Sequence, residues 1–342
     1  MKQVLFISHT EENECIDQVT AALAQRGAEV IRFDTDIYPE EIQLSSEFKD
    51  GAWRYSIQKG QEKHNLDNLE AIYYRRNRTG KSLKGKMDQE FISPTLEESR
   101  RTLMGVINSF PGFVLDPVWL IRHTENKQVQ LKAAVEAGLS IPKTLFSNSP
   151  DEVRNFYKAC NGQMIAKMQS SFAINRDGKE HVVFTNVITD EDMQDIDALT
   201  SCPMIFQENI AKKLELRCTV VGSQVFSSAV DSQASGKSDE DWRKDGEALA
   251  SKWTPYQLPA ALEQKLLAMM DALGLNYGAA DFILTPDEEF VFLEVNPAGE
   301  YFWLDKAMLG QNGHPIAEAL ADVLLGIKER RAIPYRTEPA LY

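Results

Sequence analysis

Asp281-Phe282-Ile283-Leu284-Thr285-Pro286-Asp287-Glu288-Glu289-Phe290-Val291-Phe292-Leu293-Glu294-Val295-Asn296-Pro297 decides how this chain is read. Two apolar runs flank the polar turn Thr285 to Glu289, the pattern of two strands joined by a hairpin. Side chains alternate faces along a strand, so Glu294 and Asn296 point the same way, and the hairpin brings Asp281 opposite them. Three hard oxygen ligands then converge, a set that suits Mg²⁺ together with substrate phosphates. The alternative is a solvated strand face. Against it, the acids sit inside the apolar runs Ala279-Ala280-Asp281-Phe282-Ile283 and Phe292-Leu293-Glu294-Val295, where a carboxylate without a cation is costly.

Outward from this hairpin, strands are expected at Glu215 to Val221 and Val225 to Val230, with a helix near Ala260 to Leu273, which together make an α+β lobe. Upstream, a helix from Glu125 to Ala137 is stopped by Gly138 and Ile141-Pro142. A helix at Pro150 to Ala159 and strands at Met164 to Met168 and His181 to Phe184 follow, a second small α+β unit. The chain opens as a βαβ unit: Val4 to Ile7, a helix from Ile16 to Arg26 closed by Gly27, then Glu29 to Phe33. A polar hairpin-like stretch from Ile42 to Lys59, a strand at Ala71 to Tyr74 and a helix from Thr95 to Ile107 complete this region. A strand bounded by breakers, Pro111 to Pro117, ends it. The expected divisions are residues 1–118, 119–205 and 206–330, with a tail at 331–342.

A length of 342 residues suits two or three domains, each with its own core. The apolar fraction is 43%, yet no segment approaches the roughly 18 uninterrupted apolar residues of a membrane helix. The N-terminus MKQVLFISHT reads as a first strand and not a signal peptide, so a cytoplasmic, membrane-free protein is expected. Cys15, Cys160, Cys202 and Cys218 form no C-x-x-C pair, which argues against structural zinc and disulfides. With 51 acidic and 37 basic residues the net charge is −14, and no nucleic-acid partner is expected. Any anionic ligand then needs a local basic patch, and the stretch Arg75 to Lys86 offers one, with six basic residues in twelve. Arg75 and Arg76 follow an apolar strand directly, so at least one of them should turn toward the site. The five histidines have no spacing suited to a catalytic pair.

The D-x₁₂-E-x-N spacing of Asp281, Glu294 and Asn296, followed by Pro297, resembles the magnesium signature of ATP-grasp ligases. Lys127 and Lys167 resemble the two lysines that contact ATP phosphates in that superfamily. The run Gln207-Glu208-Asn209-Ile210-Ala211 resembles the hinge that meets adenine. Glu215 matches the acid that holds the ribose hydroxyls, and Arg217 the arginine that steadies the transferred phosphate. A closer resemblance covers nearly the whole chain. Tyr73-Tyr74-Arg75-Arg76, Glu215 to Gly222, Asp241-Trp242-Arg243-Lys244, Trp253-Thr254-Pro255-Tyr256 and Asn296 to Trp303 together look like the microviridin-type maturases, which close side-chain rings in ribosomally made graspetide precursors. One departure is the loop Gln169 to Gly178, which has a single glycine where many ATP-grasp enzymes have a glycine-rich phosphate loop; Ser170 and Ser171 could serve instead.

The resemblance implies a three-lobed ATP-grasp fold with α/β and α+β parts and an N-terminal pre-ATP-grasp domain. It implies ATP and Mg²⁺ as cofactors, and as partner a precursor peptide with a leader and an acidic, hydroxyl-rich core; a homodimer is common among similar ligases. Phosphorylation turns a substrate carboxylate into an acyl phosphate with a good leaving group, and attack by a hydroxyl gives an ω-ester, by an amine an ω-amide. The overall pattern resembles ester-forming maturases more than amide-forming ones. Arg243 is expected to contact the acyl phosphate or the acidic substrate, and Arg75, Arg76, Asp241 and Glu300 to face the substrate. Two other functions remain compatible: an intermolecular ligase adding an amino acid to a small acid or protein, and a noncatalytic ATP-sensing module. The intact lysines, ribose acid and metal ligands speak against the latter.

Overall fold

The computed structural model describes residues 1–12, 14–79, 83, 86–169, 185–232, 251–309 and 313–332, and the backbone of 173–176 and 179–182. The N-terminal region runs β1 (Gln3–Ser8), α1 (Cys15–Gln25), β2 (Glu29–Asp34), β3 (Ile42–Lys49), β4 (Ala52–Lys59), β5 (Glu62–Asn65), β6 (Leu69–Tyr74), α2 (Gln89–Ser109) and β7 (Phe113–Leu115). Strands β2-β1-β6-β7 form a parallel sheet in that order, while β3-β4-β5 form a separate antiparallel one. The hairpin between β3 and β4 turns at Asp50-Gly51, both at positive φ (54° and 80°), the geometry that matches the twist of two antiparallel strands. Helix α2 starts six residues before the expected Thr95 and runs through Pro94. The proline removes one helical hydrogen bond, but its buried positions, Ser99, Leu103, Val106 and Ile107, all lie beyond it, so packing holds the helix despite the lost bond.

The next elements are α3 (Val118–Thr124), α4 (Lys127–Glu136), β8 (Thr144–Ser147), α5 (Pro150–Ala159), β9 (Met164–Lys167), β10 (Ala173–Arg176), β11 (Lys179–Val182), β12 (Asn186–Val187) and β13 (Met204–Glu208). Strands β12-β9-β13-β8 pair antiparallel and enclose a small core with α5, formed by Val153, Met164, Ala166, Ile196, Leu199 and Phe206. Ser149 caps α5 and Pro150 opens it, as the proline needs no hydrogen-bond partner there. Helix α4 packs elsewhere: its Leu131, Ala133 and Ala134 join the core of the C-terminal sheet.

That sheet is built from β14 (Leu214–Val221), β15 (Gln224–Val230), β16 (Thr254–Pro255), β17 (Tyr277–Leu284) and β18 (Phe290–Asn296), in the order β16-β15-β14-β17-β18, with helices α6 (Ala260–Leu273), α7 (Phe302–Met308) and α8 (Pro315–Leu324). Period-two alternation divides its faces. Leu216, Cys218 and Val220 of β14 and Ala280, Phe282 and Leu284 of β17 point into a core with α4 and α6. Glu215, Arg217 and Thr219 and, across from them, Ile283, Asp281 and Ala279 occupy the other face. At its far end Val221 and Tyr277 enter a core shared with α1 and α8, which ties the N-terminal region to this lobe. Among the described residues no helix is long and apolar enough to cross a membrane.

Asp116 makes a second tie. Its buried carboxylate accepts hydrogen bonds from the backbone N–H groups of Asn276 and Tyr277 (both 2.9 Å) and from Asn276 Nδ2 (3.1 Å) at the start of β17. Burial pushes its pKa from the ordinary 3.8 up to about 7, against these donors. A folded-state pKa above the unfolded one means that the folded protein holds the proton more tightly. The contribution is therefore fully present below about pH 4 and is lost as pH rises through about 7. In thermal unfolding, the wild type is expected to lose stability relative to Asp116→Asn as pH rises from about 5 to about 8; parallel curves would contradict this account.

Candidate active site

The register of the decisive hairpin sets Asp281 against Glu294 and Ala279 against Asn296, so the three expected metal ligands share one sheet face. A bulge intervenes, because the next pair is Phe282 with Phe292, leaving Leu293 as the extra residue. Phe292 and Val295 both point into the core, while Leu293 and Glu294 both line the cleft on the other face. Strict alternation would not put these neighbours side by side. Among the described residues no three His, Cys, Asp or Glu side chains gather as a metal cluster, and the third expected ligand is the amide of Asn296, whose Oδ1 accepts the Ala298 N–H at 2.9 Å.

Each carboxylate has a cation against it. Arg217, directly across from Asp281 on β14, donates through Nη1 to both carboxylate oxygens at 2.9 Å. Burial opposes the charge of this guanidinium, but Asp281 outweighs it and holds the pKa above its ordinary value. Nη2 of Arg217 donates to the Glu300 carbonyl at 3.3 Å, and the guanidinium lies 5.9 Å from the Trp303 ring centre. Gly299 makes this approach feasible, since a Cβ there would come within 2.7 Å of Arg217 Nη2 and 2.6 Å of Ala279 Cβ. Lys127, the first residue of α4, is ion-paired with Glu294.

Lys167, Thr185, Gln207, Glu208, Ile210, Glu215, Asp281 and Glu294 line one cleft between the β9–β13 sheet and the C-terminal sheet. Ala211 is not among the lining residues. Glu215 accepts hydrogen bonds from Ser232 Oγ (2.7 Å) and Lys212 Nζ (3.0 Å), and Glu208 pairs with Lys143 at 3.1 Å. Gln207 donates through Nε2 to Thr144 Oγ1 at 3.0 Å, while its buried Oε1 has no partner among the described residues.

Arg75 and Arg76, at the end of β6, both meet the Glu300 carboxylate, Arg75 at 3.1 Å. Glu12, behind β1, faces the same two arginines at 3.7 and 3.8 Å. Arg75 is buried and raised well above its ordinary pKa; burial works against its charge, and the neighbouring Tyr73 and Glu300 work for it. The basic pair thus reaches the loop that follows Asn296. Asp241 and Arg243 lie outside the described residues, as do Ser170 and Ser171. Sequence reasoning missed Glu12, Lys212, Ser232 and Gln130. Gln130 sits one helical turn after Lys127, a position that says nothing of its partner Val295, 165 residues on.

The architecture defines an ATP-grasp protein with a pre-ATP-grasp domain, and comparisons agree. The family model of the MvdD pre-ATP grasp domain matches residues 3–122. A RiPP-associated ATP-grasp ligase from Chryseobacterium gregarium, solved with ADP and a leader and core peptide, is 39% identical over 97% of this chain and 98% of its own, with a TM-score of 0.92. The macrocyclase MdnC from Microcystis aeruginosa MRC, solved with precursor peptide MdnA, is 40% identical over 95% and 99%, with a TM-score of 0.83. Macrocyclase MdnB from the same organism is 34% identical over 95% and 99%, at 0.77. No curated protein matches the chain. The chain belongs to the RiPP-associated ATP-grasp ligases, the family of these macrocyclases.

Beside its expected place at the metal, Asp281 is the counter-ion of a buried arginine. Removing one partner of a buried pair costs about 3 kcal/mol or more. Asp281→Ala is therefore expected to lower the melting temperature more than Glu294→Ala, because Lys127 is 24% exposed against 7% for Arg217. Equal losses in thermal unfolding would contradict the structural part of this role.

Proposed function

We propose that this enzyme uses ATP and Mg²⁺ to activate Asp or Glu side chains of a ribosomally made precursor peptide and closes them into macrocycles, with ω-ester links favoured over ω-amide links. The single observation that carries this reading is the convergence of Lys167, Glu215, Asp281 and Glu294 on one cleft, in a chain 39% identical to a ligase solved with ADP and a leader and core peptide. The residues present fit both small ligands. The unpartnered Gln207 Oε1 is an acceptor suited to an exocyclic amine of adenine, and Glu215 is suited to ribose hydroxyls. Two facing carboxylates and an amide are the donor set of a hard divalent cation. Asp281, Glu294 and Asn296 would hold Mg²⁺, which would supply positive charge to offset that on the phosphate oxygens.

The chain's own residues do the rest. Lys127 and Lys167 attract phosphate as point charges, and Arg217 offers a planar donor set beside Asp281 for the transferring group. The substrate carboxylate takes the γ-phosphoryl group of ATP, releasing ADP. A substrate hydroxyl then attacks the carbonyl carbon, passes its proton to an oxygen of the phosphate or to a substrate carboxylate as the bond forms, and expels phosphate. Of the basic pair, Arg76 is the partly exposed one and is the arginine offered to acidic side chains of the core, with Arg75 buried behind it against Glu300; the resemblance implies that Asp241 faces the substrate and that Arg243 contacts the acyl phosphate or the acidic substrate. The precursor carries a leader beside its acidic, hydroxyl-rich core, and the enzyme acts in the cytoplasm.

Lys167→Ala and Glu215→Ala are each expected to weaken ATP binding at least about tenfold in calorimetry, which is about 1.4 kcal/mol. Unchanged affinity in both would count decisively against the nucleotide site. With ATP and the cognate precursor, mass spectrometry should show the loss of one water mass per ring, and mild base should reopen the rings. Rings that survive base and require a lysine would overturn the ester assignment while sparing the acyl-phosphate chemistry.

A further inference from the structure

Strand β18, which carries Glu294 and Asn296, is the edge of its sheet, so one side of its backbone has no neighbouring strand. Two different devices cover that side. Toward its start, Ser140 lies alongside Val291 and its carbonyl accepts the Phe292 N–H at 2.8 Å. At Val295, the residue between Glu294 and Asn296, a side chain takes over. Gln130 Nε2 donates to the Val295 carbonyl at 2.8 Å, and the Val295 N–H donates to Gln130 Oε1 at 3.0 Å. The amide of one glutamine therefore copies the donor and acceptor of a missing strand. Its second Nε2 hydrogen goes to the Thr124 carbonyl at 2.6 Å, which ties it to the end of α3, and the side chain is only 1% exposed. Lys127, three residues earlier on α4, holds the Glu294 carboxylate. One helical turn thus grips this strand twice, by side chain and by backbone.

We propose that Gln130 is a positioning residue for the metal ligands: by clamping the Val295 peptide it fixes how Glu294 and Asn296 are presented together, without touching nucleotide or metal itself. The inference rests on the metal-site reading proposed above. A group that orients metal ligands acts on metal affinity, and losing it costs about 10- to 100-fold. A group that merely supports the fold would weaken nucleotide and metal binding alike, or neither.

The test uses Gln130→Met, which keeps length and removes both hydrogen-bonding functions, and Gln130→Glu, which keeps the acceptor for Val295 N–H and loses the donor. Mn²⁺ binding to the ADP-loaded full-length protein is read from the loss of the free-ion paramagnetic resonance signal, and ADP affinity is measured separately in EDTA. The expected result is Mn²⁺ binding weakened about tenfold or more in Gln130→Met and less in Gln130→Glu, with metal-free ADP affinity within about twofold of wild type. Hydrogen exchange at the Val295 amide should rise in Gln130→Met. Mn²⁺ affinity within about twofold of wild type in a folded variant, or a parallel loss of ADP affinity, overturns the proposal. Should Gln130→Met not fold, Gln130→Glu decides: Mn²⁺ binding weakened more than about twofold with ADP affinity unchanged supports the proposal, and a smaller change or a parallel loss of ADP affinity overturns it. A wild type that binds ADP but no Mn²⁺ would instead overturn the metal-site reading, and the positioning role with it.

Discussion

The bulge at Leu293 is the constraint on which the site depends. Between Leu284 and Phe282 the two strands pair residue for residue, and there the core face needs Phe282 and Phe292 together. Continued without interruption, that register would set Leu293, not Glu294, opposite Asp281. One extra residue shifts the pairing, so that Glu294 meets Asp281 and Val295 returns to the core. The apolar core and the polar cleft are then both satisfied by a single strand.

Charge is handled along the same line of contacts. Asp281 and Glu294 face each other across the hairpin, and Arg217 and Lys127 stand against them. From Arg217 the contacts continue to the Glu300 carbonyl, and from the Glu300 carboxylate to Arg75, Arg76 and, beyond them, Glu12. Residues from the N-terminal sheet thereby reach the loop after the Asp281–Asn296 hairpin, and the shared core of α1 with α8 and the Asp116 clamp on β17 hold these parts together. In this acidic protein of net charge −14 the two arginines are locally balanced by the Glu12 and Glu300 carboxylates.

Much of this was legible in the residues. The hairpin from Asp281 to Asn296, the helices at Pro150 to Ala159 and Ala260 to Leu273, and the strands of the C-terminal sheet follow from apolar periodicity and breakers. The joint orientation of Asp281, Glu294 and Asn296 followed from alternation, although the bulge that corrects the register did not, because it answers to packing of Phe292 against Phe282. Gln130, Glu12 and Asp116 were not legible for a similar reason. Their partners lie 165, 63 and 160 residues away or more, at Val295, Arg75 and Asn276, and a local window carries no trace of such pairings. Helix α2 starts before the expected Thr95 because Pro94, locally unfavourable inside a helix, is tolerated through tertiary contacts.

The central claim is that one acyl phosphate is made and consumed for every ring closed. The most direct measurement counts ADP released against water masses lost from the precursor over a single time course with Mg²⁺ present. The account predicts one ADP per ring, with neither product in the Glu294→Ala variant. Ring formation without matching ADP, or the same yields after Glu294 is removed, would contradict it.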